Sequence, residues 1–100
     1  MTPERMDPEA VFRRGDDIVR RTIAGETLLV PIRGRLADLQ RLFALNPVAE
    51  AIWRQLDGER PLAGIRDSLT EQFDVPAATA EADLAGFLEE LQAAGLVERV

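Results

Sequence analysis

A chain of 100 residues, 46% of them apolar, has the size of one domain and enough apolar side chain for one core without cross-links. It contains no cysteine, histidine, lysine or tyrosine, which excludes disulfides, thiolate and imidazole metal sites, cysteine and histidine catalysts, Schiff bases and phenolic acids. The formal charge of -6 is unevenly spread: residues 1–45 hold eight arginines against seven acids, and residues 46–100 hold four against eleven. An acidic C-terminal half repels a phosphate backbone, so no nucleic-acid partner is expected.

Residues 1–17 carry mixed charges, with Pro3 and Pro8 and no apolar run suited to a signal or membrane segment. They are expected to form a flexible or loosely docked N-terminal arm, and the protein to be cytoplasmic, with no membrane partner. The folded domain is placed at residues 18–100. Ile18-Val19-Arg20-Arg21-Thr22-Ile23 and Thr27-Leu28-Leu29-Val30-Pro31-Ile32 flank Gly25-Glu26, which predicts a β-hairpin with a type II′ turn. Pro31 lacks a ladder donor and is expected near a strand end or facing outward on an edge. After Arg33-Gly34-Arg35, residues 39–45 predict a third strand, with Leu39, Arg41, Phe43 and Leu45 on one face and Leu42 and Ala44 on the other. Helical spacing through Leu36, Leu39 and Phe43 is an alternative there.

Three helices follow. Asn46-Pro47 sets an N-cap and a first-turn proline ahead of Val48, Ala49, Ile52, Trp53 and Leu56 at helical spacing. A second helix over residues 61–73 presents Leu62, Ile65, Leu69 and Phe73. A third over residues 77–94 presents Leu84, Phe87, Leu88 and Leu91 and closes at Gly95, leaving residues 96–100 as a tail. The fold class is α+β: a three-stranded antiparallel sheet followed by three helices, in a winged helix-turn-helix-like arrangement.

A winged helix invites a DNA reading, but the charged residues of the third helix are Glu81, Asp83, Glu89 and Glu90, all acidic. Catalysis has little to work with, since Ser68 and the threonines lack a base. Paired carboxylates such as Asp16-Asp17 or Glu89-Glu90 diverge in direction as chain neighbours. No catalytic residue, metal or cofactor is expected. A third strand apolar on both faces, beside an amphipathic helix, suits pairing with an extended peptide, although cover by the domain's own elements explains it equally well. A winged-helix dimerisation or protein-interaction domain without a peptide ligand is the alternative.

Leu45-Asn46-Pro47, Ile52-Trp53, Leu56-Asp57-Gly58, Ile65, Leu69, Phe73-Asp74-Val75, Asp83, Phe87-Leu88, Leu91 and Gly95-Leu96-Val97 together resemble the PqqD family over residues 18–98. The resemblance implies a chaperone of ribosomally made, post-translationally modified peptides. Such a chaperone is a recognition element that takes the precursor's leader as an added strand and delivers it to a modifying enzyme, often a radical SAM enzyme. In this chain the binding walls implied are Arg41, Leu42, Phe43, Ala44 and Leu45 on the third strand and Asp83, Leu84, Phe87 and Leu91 on the third helix. The Leu-Asn-Pro and Ile-Trp stretches look more like the broad PqqD-like group of varied peptide pathways than the founding members of pyrroloquinoline quinone biosynthesis.

Overall fold

The computed structural model describes residues 7–16, 18–31 and 43–100. Strands β2 (Ile18–Ile23) and β3 (Glu26–Pro31) form the expected hairpin, with Ile23 opposite Glu26. Its turn is Ala24-Gly25, one residue earlier than expected. Both residues have positive φ, 53° and 83°, the signature of a type I′ turn, in which alanine tolerates a left-handed position and glycine occupies the next at no steric cost. Pro31 ends β3, where a missing ladder donor costs least. Strand β4 (Phe43–Leu45) pairs with β3 through Leu29↔Phe43, Leu28↔Ala44 and Thr27↔Leu45, giving an antiparallel sheet of order β2-β3-β4. The earlier part of the expected third strand, including Leu39, Arg41 and Leu42, lies outside the described residues, as do Ile32, Arg33-Gly34-Arg35 and Leu36.

Helix α1 (Pro47–Gln55) starts where its cap predicts: the Asn46 side chain accepts from the Ala49 N–H at 2.8 Å, with Pro47 in the first turn. Helix α2 (Leu62–Phe73) stops at Asp74, whose left-handed φ of 52° and the following Val75-Pro76 turn the chain out of helix. Helix α3 (Ala77–Ala93) closes in a Schellman arrangement. The Gly95 N–H donates to the Gln92 carbonyl at 3.0 Å and the Leu96 N–H to the Leu91 carbonyl at 2.9 Å, with Gly95 at φ 72°. Among the described residues the architecture is α+β, with a three-stranded antiparallel sheet followed by three helices.

A second antiparallel sheet, absent from the expectation, has the order β5-β1-β6. Its centre is β1 (Val11–Arg14), within the segment expected to be a flexible or loosely docked arm; its edges are β5 (Asp57–Pro61) and β6 (Val97–Arg99). Residues 7–16 are therefore docked, while residues 1–6 and 17 lie outside the described residues. Phe12 is buried with Ala10 in the same core as Leu29, Ile52, Leu56, Ile65, Leu84 and Leu96. The N-terminal segment also completes two helices. Pro61, which precedes α2, offers no side-chain cap, and the Leu62 and Ala63 N–H groups donate instead to the Ala10 and Pro8 carbonyls, both at 2.9 Å. The Arg14 guanidinium donates to the Trp53 and Arg54 carbonyls at the end of α1, at 3.1 and 2.8 Å, where a cation also suits the negative end of the helix.

The first sheet is tied to α1 by Glu50, which takes an ion pair from Arg20 and a hydrogen bond from the Thr27 hydroxyl at 3.2 Å. The bond from Arg20 holds the Glu50 carboxyl below the usual glutamate range, with Thr27 adding to the effect. A carboxyl depressed on folding stabilises the native state above its unfolded pKa, and that contribution is lost as pH falls through the folded value. The Glu50→Gln variant should thus melt below the wild type at neutral pH, with the gap closing under acid. A gap of constant size, read in thermal melts across pH, would remove Glu50 as its source.

Candidate functional site

The outer edge of β4 has no partner strand among the described residues, and beside it a groove of about 280 Å³ runs between β4, α1 and α3. Its lining is Ala44 and Asn46 at the strand end, Val48, Ala49 and Ile52 from α1, and Asp83, Phe87 and Glu90 from α3. Helical periodicity explains the α3 wall. Ala80, Leu84, Leu88 and Leu91 recur at three- and four-residue intervals and are buried; Asp83, Phe87 and Glu90 form the adjacent stripe, one residue out of phase, and meet the groove. Phe87 is half-buried and packs against the core, presenting the rest of its ring to the groove, while Asp83 and Glu90 are exposed. Alternation along β4 has the same effect, with Leu45 buried and Ala44 exposed.

The wall residues expected from the sequence divide accordingly. Ala44, Asp83 and Phe87 come together on the groove. Leu45, Leu84 and Leu91 are core residues beneath it, with Leu84 and Leu91 at 0% exposure. Phe43 contributes its backbone to β4, and Arg41 and Leu42 lie outside the described residues. Asn46, Val48, Ala49, Ile52 and Glu90 complete the lining without having been singled out for it. One signal was present, in that Glu90 stands seven residues from Asp83 on one helix face; Val48 and Ala49 fall within the arc of α1 that also holds the buried Ala51, Ile52 and Trp53, so helical period does not set them apart.

A strand edge can extend a sheet by donating and accepting backbone hydrogen bonds, and an apolar groove beside it can hold alternate side chains of the added strand. Trp53, by contrast, is a core residue at 5% exposure. Among the described residues, no group of three or more acidic side chains is placed to hold a metal ion, and no helix is long and apolar enough to cross a membrane.

The family model for Coenzyme PQQ synthesis protein D (PqqD) matches residues 26–97. PqqA binding protein of Rhizobium meliloti (strain 1021) is 36% identical over 72 residues, covering 70% of this chain and 74% of the relative. Two solved structures share the fold. TbiB1 in complex with the TbiA(beta) leader peptide superposes with a TM-score of 0.68 at 27% identity, over 86% of this chain and 94% of that one. Lasso peptide synthetase B1 complexed with the leader peptide gives 0.66 at 25% identity, over 87% and 96%. With the family model spanning well over half of its length, the chain belongs to the PqqD family.

Proposed function

We propose that this protein is a non-catalytic chaperone that binds the leader of a ribosomally synthesised precursor peptide and presents it to a modifying enzyme. The leader adds as a strand to the outer edge of β4, its side chains entering the groove against α3. The observation that carries this reading is the β4 edge, unpaired among the described residues, beside a groove lined by Val48, Ala49, Ile52 and Phe87. The relatives lend support: one is named for binding PqqA, and two were solved with leader peptides. On this chain the peptide contacts Ala44, Val48, Ala49, Asp83, Phe87 and Glu90 and pairs with the Phe43–Leu45 backbone, while Leu45, Leu84 and Leu91 hold those surfaces from beneath. A chain without histidine, cysteine, lysine or tyrosine suits a presenting rather than a reacting role. The chemistry then belongs to the partner, a radical SAM enzyme or another peptide-modifying enzyme, acting in the cytoplasm.

Calorimetric titration with synthetic leader peptides from small open reading frames beside the gene tests this. Micromolar or tighter affinity, about -8 kcal/mol, is expected. A folded protein that binds none of them and sediments as a dimer would instead be an interaction domain.

A further inference from the structure

The groove has a sign as well as a shape. Its α3 wall presents Asp83 and Glu90 on either side of Phe87, and neither carboxylate makes an ion pair among the described residues. Nothing basic on α3 offsets them, since its charged residues are Glu81, Asp83, Glu89 and Glu90. Among the described residues no arginine lines the groove either; Arg20, on the neighbouring sheet, is held by Glu50. Carboxylates above an apolar floor act across fewer intervening waters than charges on open surface, so they attract a cation entering beside them more strongly.

The spacing limits what can use them. Asp83 and Glu90 are seven residues apart, about 10.5 Å along a helix at 1.5 Å per residue. A strand lying along β4 advances about 3.3 Å per residue and turns every second side chain to the same face. A side chain seated on Phe87 therefore has same-face neighbours two residues before and after it, about 13 Å apart. Lysine and arginine stems are long enough to make up the difference, whereas short polar side chains are not.

Resting on the peptide-binding reading above, we infer that the groove selects leaders with the pattern basic–x–apolar–x–basic, the apolar side chain on Phe87 and the flanking cations on Asp83 and Glu90. Both carboxylates are exposed, so Asp83→Asn/Glu90→Gln leaves the fold intact. The leaders from the neighbouring open reading frames serve as probes, each made also with its lysines and arginines replaced by glutamate, and titrated against wild type, the neutral double variant and Asp83→Lys/Glu90→Lys. The neutral variant should bind the natural leader about tenfold more weakly, with reduced salt dependence. The lysine variant should prefer the glutamate-substituted leader, a reversal that a general loss of affinity would not produce. If wild type and the neutral variant bind one leader equally, charge selection is overturned and peptide binding stands; if wild type binds no leader, both readings fall.

Discussion

A chain lacking residues 1–16 should fail to show a cooperative thermal transition, although it retains α1, α2, α3 and the hairpin. The deletion removes the central strand of the β5-β1-β6 sheet and leaves two edge strands with no partner between them. It takes Phe12 and Ala10 out of the core and the Pro8 and Ala10 carbonyls away from the first turn of α2. Truncating a buried phenylalanine alone costs about 3–5 kcal/mol, and each lost backbone bond about 0.5–1.5 kcal/mol more. Domains of this length are stable by only about 5–15 kcal/mol, so the sum uses most of that margin. Phe12→Ala is the milder version, expected to lower the melting temperature by tens of degrees at about 4–8 °C per kcal/mol. A truncated chain that melts within a few degrees of wild type, followed by circular dichroism, would mean that β1 is dispensable.

Phe87→Ala and Leu84→Ala should separate affinity from stability, although both residues belong to the same helix. Phe87 is half-buried and fronts the groove, so its ring is available to a ligand. Removing a central aromatic anchor commonly costs about 2 kcal/mol of binding, roughly thirtyfold in Kd, while the fold loses little. Leu84 is fully buried one stripe away. Its replacement leaves a cavity that costs about 2–5 kcal/mol of stability, yet well below the melting temperature its Kd should stay near that of wild type. The measurement is a pair of melts and a pair of calorimetric titrations with a leader that binds wild type. Equal affinity in Phe87→Ala would take the ligand off the α3 wall.

The helices and the hairpin were legible because each carries its own signal. Asn46-Pro47, Asp74-Val75-Pro76 and Gly95 mark helix ends through local backbone chemistry, and the stripes between them follow one period. The second sheet was not. Strand β5, Asp57-Gly58-Glu59-Arg60-Pro61, has no large apolar side chain to alternate, and β1 and β6 are short, with bases and acids on their outward positions. Their partners are remote in sequence: Arg13 lies opposite Asp57 on one side and Glu98 on the other, where its guanidinium and the Glu98 carboxylate form an exposed ion pair at 2.6 Å. No window of sequence contains such pairings. The candidate site was legible in its elements and less so in its side chains. Naming Asp83, Leu84, Phe87 and Leu91 together joins two stripes of α3, and only their placement separates the carboxylates and ring at the groove from the leucines that support them.

Trp53 gives the molecule an optical property. It is the single tryptophan of a chain without tyrosine, so intrinsic emission excited at long wavelength arises from one indole. That indole is buried in α1 next to Ile52, which lines the groove. Folded protein therefore emits toward the blue, from a ring shielded from water, and unfolding shifts the emission to the red. A strand seated over Ile52 leaves the indole as dry as before. Fluorescence thus reports folding almost free of ligand occupancy, and variants of the groove can be checked for structure whether or not a peptide is bound.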